Sequence, residues 1–248
     1  MIRKYFRTIK TSEKDKIKWR THEVTRVEAL SDAIFGFAVS LLFISLEVPK
    51  SSKDLLDLMD GFAPFAFCFF SIVSIWYKQY IFFRRYGMHD QITIGLNTCL
   101  VFIVLFFAYP LKFLFSSIFL EHVYIMRQQD WAPLLATYNA GATAIFILFA
   151  LMYLNAFIKR AELNLTPPEE FETVSYILFS ALPGVFGLIA TIIAYTERHN
   201  DMKHIFACYW PYAVLVVAAP LLRKWRASVF KERFGNIPMR EPHHGADV

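Results

Sequence analysis

The sequence predicts an all-α integral membrane protein with six transmembrane helices and both termini cytoplasmic. Three observations predict it. Of 248 residues, 56% are hydrophobic and 17% aromatic, with 26 Phe against 9 Gly, a surface that would aggregate in water but that lipid accepts. The apolar residues gather at 28–48, 61–83, 92–118, 134–158, 173–195 and 203–222. Each stretch is long enough to cross a bilayer at about 1.5 Å per residue, and too continuous for the alternating strands of a membrane barrel. The third observation is the segregation of basic residues between alternate connections.

Nine basic residues, from Arg3 to Arg26, precede the first span. Arg84 and Arg85 follow the second, Lys159 and Arg160 the fourth, and Arg223, Lys224, Arg226, Lys231, Arg233 and Arg240 the sixth. The opposite side holds Lys50, Lys53, Arg127, Arg198 and Lys203. Retention of positive charge inside the cell then fixes the orientation. The net charge of +5 reflects this topology and an attraction to anionic lipid; no nucleic-acid-binding motif accompanies it. The chain divides into a basic N-terminal segment (1–25), a six-span domain (26–224) and a C-terminal tail (225–248). No cleavable signal is expected, because the first twenty residues are polar and basic. No internal repeat of the first span is visible.

Enzymatic chemistry finds no support. The chain has no HExxH, no GxSxG and no Gly-rich phosphate loop, and its histidines lie near span ends, in loops or in the tail. Cys68, Cys99 and Cys208 sit within spans as apolar packing residues, without metal spacing. No catalytic residue, metal or cofactor is therefore expected. ELNLTPPEEF reads as a loop whose two prolines stop the fourth helix and start the fifth, and Glu169, Glu170 and Glu172 cap the fifth. The polar groups at membrane depth, Asp32, Glu47, Lys78, Lys112 and Asn97, are too dispersed for a catalytic set.

The first span, RVEALSDAIFGFAVSLLFISLEVP, is the most informative segment. From Ala33 to Leu46 it carries no charge, yet Arg26, Glu28, Ser31 and Asp32 fill its first two turns. Arg26 and Glu28 are placed to snorkel to headgroups. Asp32 lies inside the apolar run, where an ionisable group marks function by default. Arg26 and Asp32 are about 9 Å apart along a helix and off a shared face, so each should bond another helix. One stripe collects Leu30, Ile34, Phe37, Leu41, Ile44 and Val48; its neighbour holds Ala33, Gly36, Ser40 and Glu47. Two readings stay open, a pore lining and an ordinary packing seam of small residues.

Arg26-x-x-x-Leu30-Ser31-Asp32 and the apolar run after it resemble the first span of the transmembrane protein 175 family of potassium channels. That family opens with Arg-x-x-x-Phe-Ser-Asp, so Leu30 replaces an aromatic. Trp76 falls on a family Trp, with Gln79 where the family has His three residues later; Asp90, Asn97 and Pro110 also match. The resemblance covers residues 24–115. It implies a channel with two six-span repeats per chain in animal lysosomes and one repeat in bacterial plasma membranes.

By that resemblance, the first spans of four repeats surround the ion path. The constriction then falls on Phe37, extended by Leu41 and Ile44, and a selectivity-linked hydroxyl on Ser40, where the family commonly has Thr. Arg26, Ser31 and Asp32, with Trp76, Gln79 and Asn97, become a structural network tying the first span to the second and third. The expected protein is a potassium-permeable, homotetrameric cation channel in a bacterial inner membrane, without a TVGYG-type carbonyl filter. Two alternatives remain: a proton- or ion-coupled carrier, with helix breaks at Pro183–Gly184, Pro211 and Pro220, and a non-conducting structural membrane protein.

Overall fold

The computed structural model describes residue 20 and residues 24–44, 49–119, 128–196 and 210–235. Among these there is no strand. Seven helices follow in order: α1 (Arg26–Ile44), α2 (Ser52–Asp60), α3 (Phe62–Tyr86), α4 (Gln91–Phe119), α5 (Gln128–Ile158), α6 (Pro167–Thr196) and α7 (Trp210–Phe234). Five of them, α1, α3, the first part of α4, most of α5, and α6, are long and apolar enough to cross a membrane. The first part of the sixth predicted span lies outside the described residues. α7 continues to Phe234, beyond the predicted limit at 222, because its last turns bury Phe230 in an aromatic cluster with Phe171 and Phe234.

α1 packs on α3 and α4, which pack on each other; α5 joins α4 to α6, and α7 rests on α6. The α5–α6 pair is the most extensive. Gly184, Gly187, Ala190 and Ala194 are all buried on α6, so the two backbones approach closely, as small residues allow in lipid. A side chain at Gly184 would begin 3.1 Å from Ile147 Cγ1. The ring of Phe107 on α4 fills the space that a side chain at Gly141 would need. At the centre, Phe82, Tyr86 and Tyr153 meet at ring distances of 5.2–5.9 Å. Outward-facing Phe70, Phe102 and Phe106 remain exposed, as a bilayer requires and water would not allow.

Three helices begin with side-chain caps, of which that of α1 is reciprocal. Thr25 N–H donates to Glu28 Oε2 and Glu28 N–H to Thr25 Oγ1. At α2, Asp54 N–H donates to Ser51 Oγ while Asp54 Oδ2 accepts from Lys50 N–H, and at α6 Glu169 Oε2 accepts from both the N–H and the hydroxyl of Thr166. Each satisfies donors that a helix start leaves open. Pro167 and Pro168 form the first turn of α6, as expected of prolines that start a span, although residues 169–171 are helix and not loop; the missing N–H groups are no loss there. α3 ends on Gly87, whose φ of 59° is left-handed, a conformation only glycine adopts without strain.

At one end of the bundle Arg85 and Tyr86 join the end of α3 to the start of α6, and Asp90 ties the start of α4 to the end of α5. Its carboxylate takes hydrogen bonds from Thr93 and Asn155 and lies 3.3 Å from Lys159 Nζ. Burial alone would raise its pKa, but the bonds from Thr93, Asn155 and Lys159 outweigh it and hold the group at about 2. The ordinary value is 3.8, so Asp90 adds stability above about pH 4 and loses it as pH falls toward 2. Thermal melts in detergent should show this acid-side loss in the native protein and a flatter profile for Asp90→Asn.

Candidate functional site

α1 has two unlike sides. Glu28, Ser31, Phe35, Ala38 and Leu42 are buried against the bundle. The opposite side is open: Leu30, Ala33, Gly36 and Ser40 are exposed, Phe37 is 54% and Ile44 70% accessible, and Ile34 and Leu41 sit half-buried at the margin. A side chain added at Gly36 would meet nothing within 4 Å. The two stripes read from the sequence therefore share the uncovered side, except that Glu47 and Val48 lie outside the described residues. Toward its C-terminal end α1 parts from α3, leaving a groove of about 460 Å3 lined by Ser40, Ile44 and a run of phenylalanines. Ser40 Oγ donates its proton to Gly36 O at 2.9 Å. A hydroxyl so engaged keeps only lone pairs for other partners.

The buried side is held by a chain of side-chain hydrogen bonds. Gln79 Nε2 on α3 donates to Asn97 Oδ1 on α4 at 2.5 Å. Asn97 Nδ2 donates to Ser31 Oγ at 2.8 Å, and Ser31 passes its own proton to Val27 O. All three residues are buried. One turn away, Trp76 Nε1 donates to Asp32 Oδ1 at 2.7 Å. The structure thus joins Ser31, Asn97 and Gln79 in one chain and Asp32 with Trp76 in a second contact. Arg26 is exposed in the first turn and takes no part in either.

Sequence reasoning missed the residues that lock the basic end of the bundle. Arg20 clasps Glu169 through both terminal nitrogens, at 3.2 and 2.9 Å, and donates to the carbonyls of Arg85 and Leu163. Its own N–H donates to Arg84 O. Arg85 pairs with Glu172 at 2.6 Å, and Tyr86 Oη bonds Thr173 Oγ1. Glu169 and Glu172 thus do more than cap α6. The spacings Thr25-x-x-Glu28 and Thr166-x-x-Glu169 were a readable signal for the caps. Nothing local marks ion pairs between residues 149 and 87 positions apart.

Asn97 holds two partners, so its loss orphans two buried groups. Asn97→Leu should cost about 1–3 kcal/mol for each group left unpaired, lowering the thermal midpoint of the detergent-purified protein. Phe37→Ala, on the open side, should leave that midpoint nearly unchanged. Equal midpoints for native protein and Asn97→Leu would remove the chain from the fold's support.

Residues 26–110, which span α1, α3 and most of α4, match the family described as Endosomal/lysosomal potassium channel TMEM175. A potassium channel of Marivirga tractuosa is 37% identical over 217 residues, covering 82% of this chain and 87% of its own. A second, from Chamaesiphon minutus, is 27% identical over 139 residues, covering 53% and 63%. Among solved structures, the potassium channel MtTMEM175, crystallised as a variant with a nanobody–MBP fusion protein, superposes with a TM-score of 0.75 at 33% identity, over 85% of this chain and 98% of that one. The lysosomal potassium-selective channel TMEM175 homolog from Chamaesiphon minutus shares the fold at a TM-score of 0.50 and 22% identity. The match in α1, α3 and α4, carried through most of the chain by the Marivirga relative, makes this protein a member of the TMEM175 family.

Proposed function

We propose that this protein is a potassium-permeable cation channel whose pore is lined by α1 of each subunit in a homotetramer. The observation that carries the reading is the asymmetry of α1: its polar side is bonded to α3 and α4, while an apolar side with a single hydroxyl row is left uncovered in the protomer. A helix buried by its own subunit on one side, and apolar but open on the other, fits a position around a shared axis. The potassium channels among its relatives supply the ion. Phe37, Leu41 and Ile44 form the constriction, where apolar rings close a narrow path by sterics and dewetting. Ser40 supplies the selectivity-linked hydroxyl, since an oxygen with its proton already committed accepts a dehydrated cation well. Arg26 is left for a contact between protomers, and Asp32, Ser31, Trp76, Gln79 and Asn97 hold α1 in register.

The chain is a single six-span repeat, with α7 and the residues before it as the sixth span and both termini cytoplasmic, in a bacterial inner membrane. The basic connections at one end of the bundle support that orientation. The carrier reading asks for interrupted helices. α6 runs unbroken through Pro183–Gly184, and α7 runs through Pro220, which favours the channel.

Purified protein in liposomes should pass potassium in proportion to the driving force, and no flux from folded tetramers would overturn the reading. Phe37→Ala should raise flux roughly tenfold, the effect of lowering a barrier by ~1.4 kcal/mol, with assembly unchanged on size exclusion. Ser40→Ala should shift the reversal potential under opposed potassium and sodium gradients toward lower potassium preference. Identical potentials would take Ser40 out of the ion path.

A further inference from the structure

α3, α4 and α5 border a cavity of about 430 Å3 that the channel reading does not use. Val104 and Ala108 on α4, both buried, line it together with the rings of Phe107, Phe146 and Phe149. From α3 come Ser71, Ser74 and Lys78, whose spacing of three and four residues puts them on one helix face. Ser74 and Lys78 are exposed, so the cavity opens outward past α3. Lys78 lies eight residues before the end of α3 at Tyr86, about 12 Å inside the helix. Its Nζ stands 4.7 Å from the centre of the Phe146 ring.

The other polar side chains of the cavity are already engaged. Ser71 Oγ donates to Phe67 O at 2.6 Å and Ser74 Oγ to Ser71 O at 2.8 Å. Tyr138 Oη donates to Pro110 O, and Asn139 is buried and not free. No acidic residue lines the cavity, and Lys78 takes no hydrogen bond or ion pair among the described residues. The Phe146 ring attracts the ammonium without neutralising it, and an unpaired charge at membrane depth is costly. An apolar cavity of this size with a single open polar group has the form of a small-ligand site. We infer that it binds a single-chain fatty acid from the bilayer, its carboxylate on Lys78 Nζ and its tail against Phe107, Phe146 and Phe149. One carboxylate matches one ammonium and leaves the occupied site neutral. A phospholipid would have to bring its whole headgroup within the span. At ~30 Å3 for each water-sized group, the cavity holds about fourteen such groups, enough for a chain the length of dodecanoate and too few for the two chains of a phospholipid.

Binding of radiolabelled dodecanoate to the purified full chain in detergent tests this, independently of conduction. Dodecanoate should bind saturably, and neither acetate nor phosphatidylglycerol should displace it. Lys78→Gln, at an exposed position, should weaken binding about 30-fold, the worth of one hydrogen bond to a charged group. Methyl dodecanoate, which keeps the tail and lacks the charge, should compete with dodecanoate on the native protein less well by about the same factor. Ala142→Leu, which fills the cavity from α5, should weaken binding about tenfold. Non-saturable uptake, or unchanged affinity in either variant, would overturn the site. Equal competition by the methyl ester would remove Lys78 from it, a result that needs no variant to fold. Displacement by acetate would make it a soluble-carboxylate site and displacement by phosphatidylglycerol a phospholipid site, and either would overturn the fatty-acid assignment.

Discussion

The orientation of α1 rests on the hydrogen bonds running from Gln79 through Asn97 to Ser31. In lipid, apolar packing gives a helix little reason to prefer one rotation, since a phenylalanine is as well placed against acyl chains as against another helix. α1 is apolar on nearly every side, so its rotation cannot be set by hydrophobicity. A one-residue turn would swing Ser31 through about 100° and leave an amide on α4 and another on α3 unsatisfied in a medium without water. That penalty selects one face for the bundle, and Phe37, Ser40 and Ile44 point away because Ser31 points in. The indole of Trp76 adds a second stop through Asp32.

A different kind of constraint acts at the basic end. There the chain concentrates its ion pairs, Arg20 with Glu169, Arg85 with Glu172 and Lys159 with Asp90, around the ends of four helices. Charged pairs of this sort are favourable near a membrane surface, where water still reaches part of each group and long side chains extend along the helices. The same end holds the caps of α1 and α6, so one layer satisfies the open backbone donors and fixes the spacing of the helices. The apolar seam of α5 and α6 then needs only close contact, which its glycines and alanines allow.

Most spans were legible because a helix crossing lipid has a minimum length and few charges, and α1, α3 and α4 lie within a few residues of their predicted limits. The starts of α5 and α6 come six residues earlier than the hydropathy indicates, since polar turns such as Pro167–Glu172 continue a helix beyond the apolar layer. α2 escaped notice for the same reason: nine residues mixing aspartates with leucines carry no membrane signal and only a short amphipathic one. Asn97, Trp76 and Gln79 became candidates through family resemblance, not periodicity, because a lone amide in an apolar helix does not announce its partner. Arg26 shows the converse, a residue singled out by its motif that the protomer leaves outside the hydrogen-bond chain. Arg20 and Arg85 had no local signature, their partners lying on helices far along the chain.

The bond from Ser40 to the carbonyl of Gly36 has a consequence for charge discrimination. In a pore lined as proposed, the polar atoms reaching the lumen near the constriction are oxygens whose protons already belong to the helix. A halide stripped of water there would find electron pairs and no N–H or O–H to replace its lost solvation. Potassium in the same place finds ligands. Sign selectivity of this kind needs no fixed carboxylate in the channel, and it would persist at ionic strengths that screen surface charge.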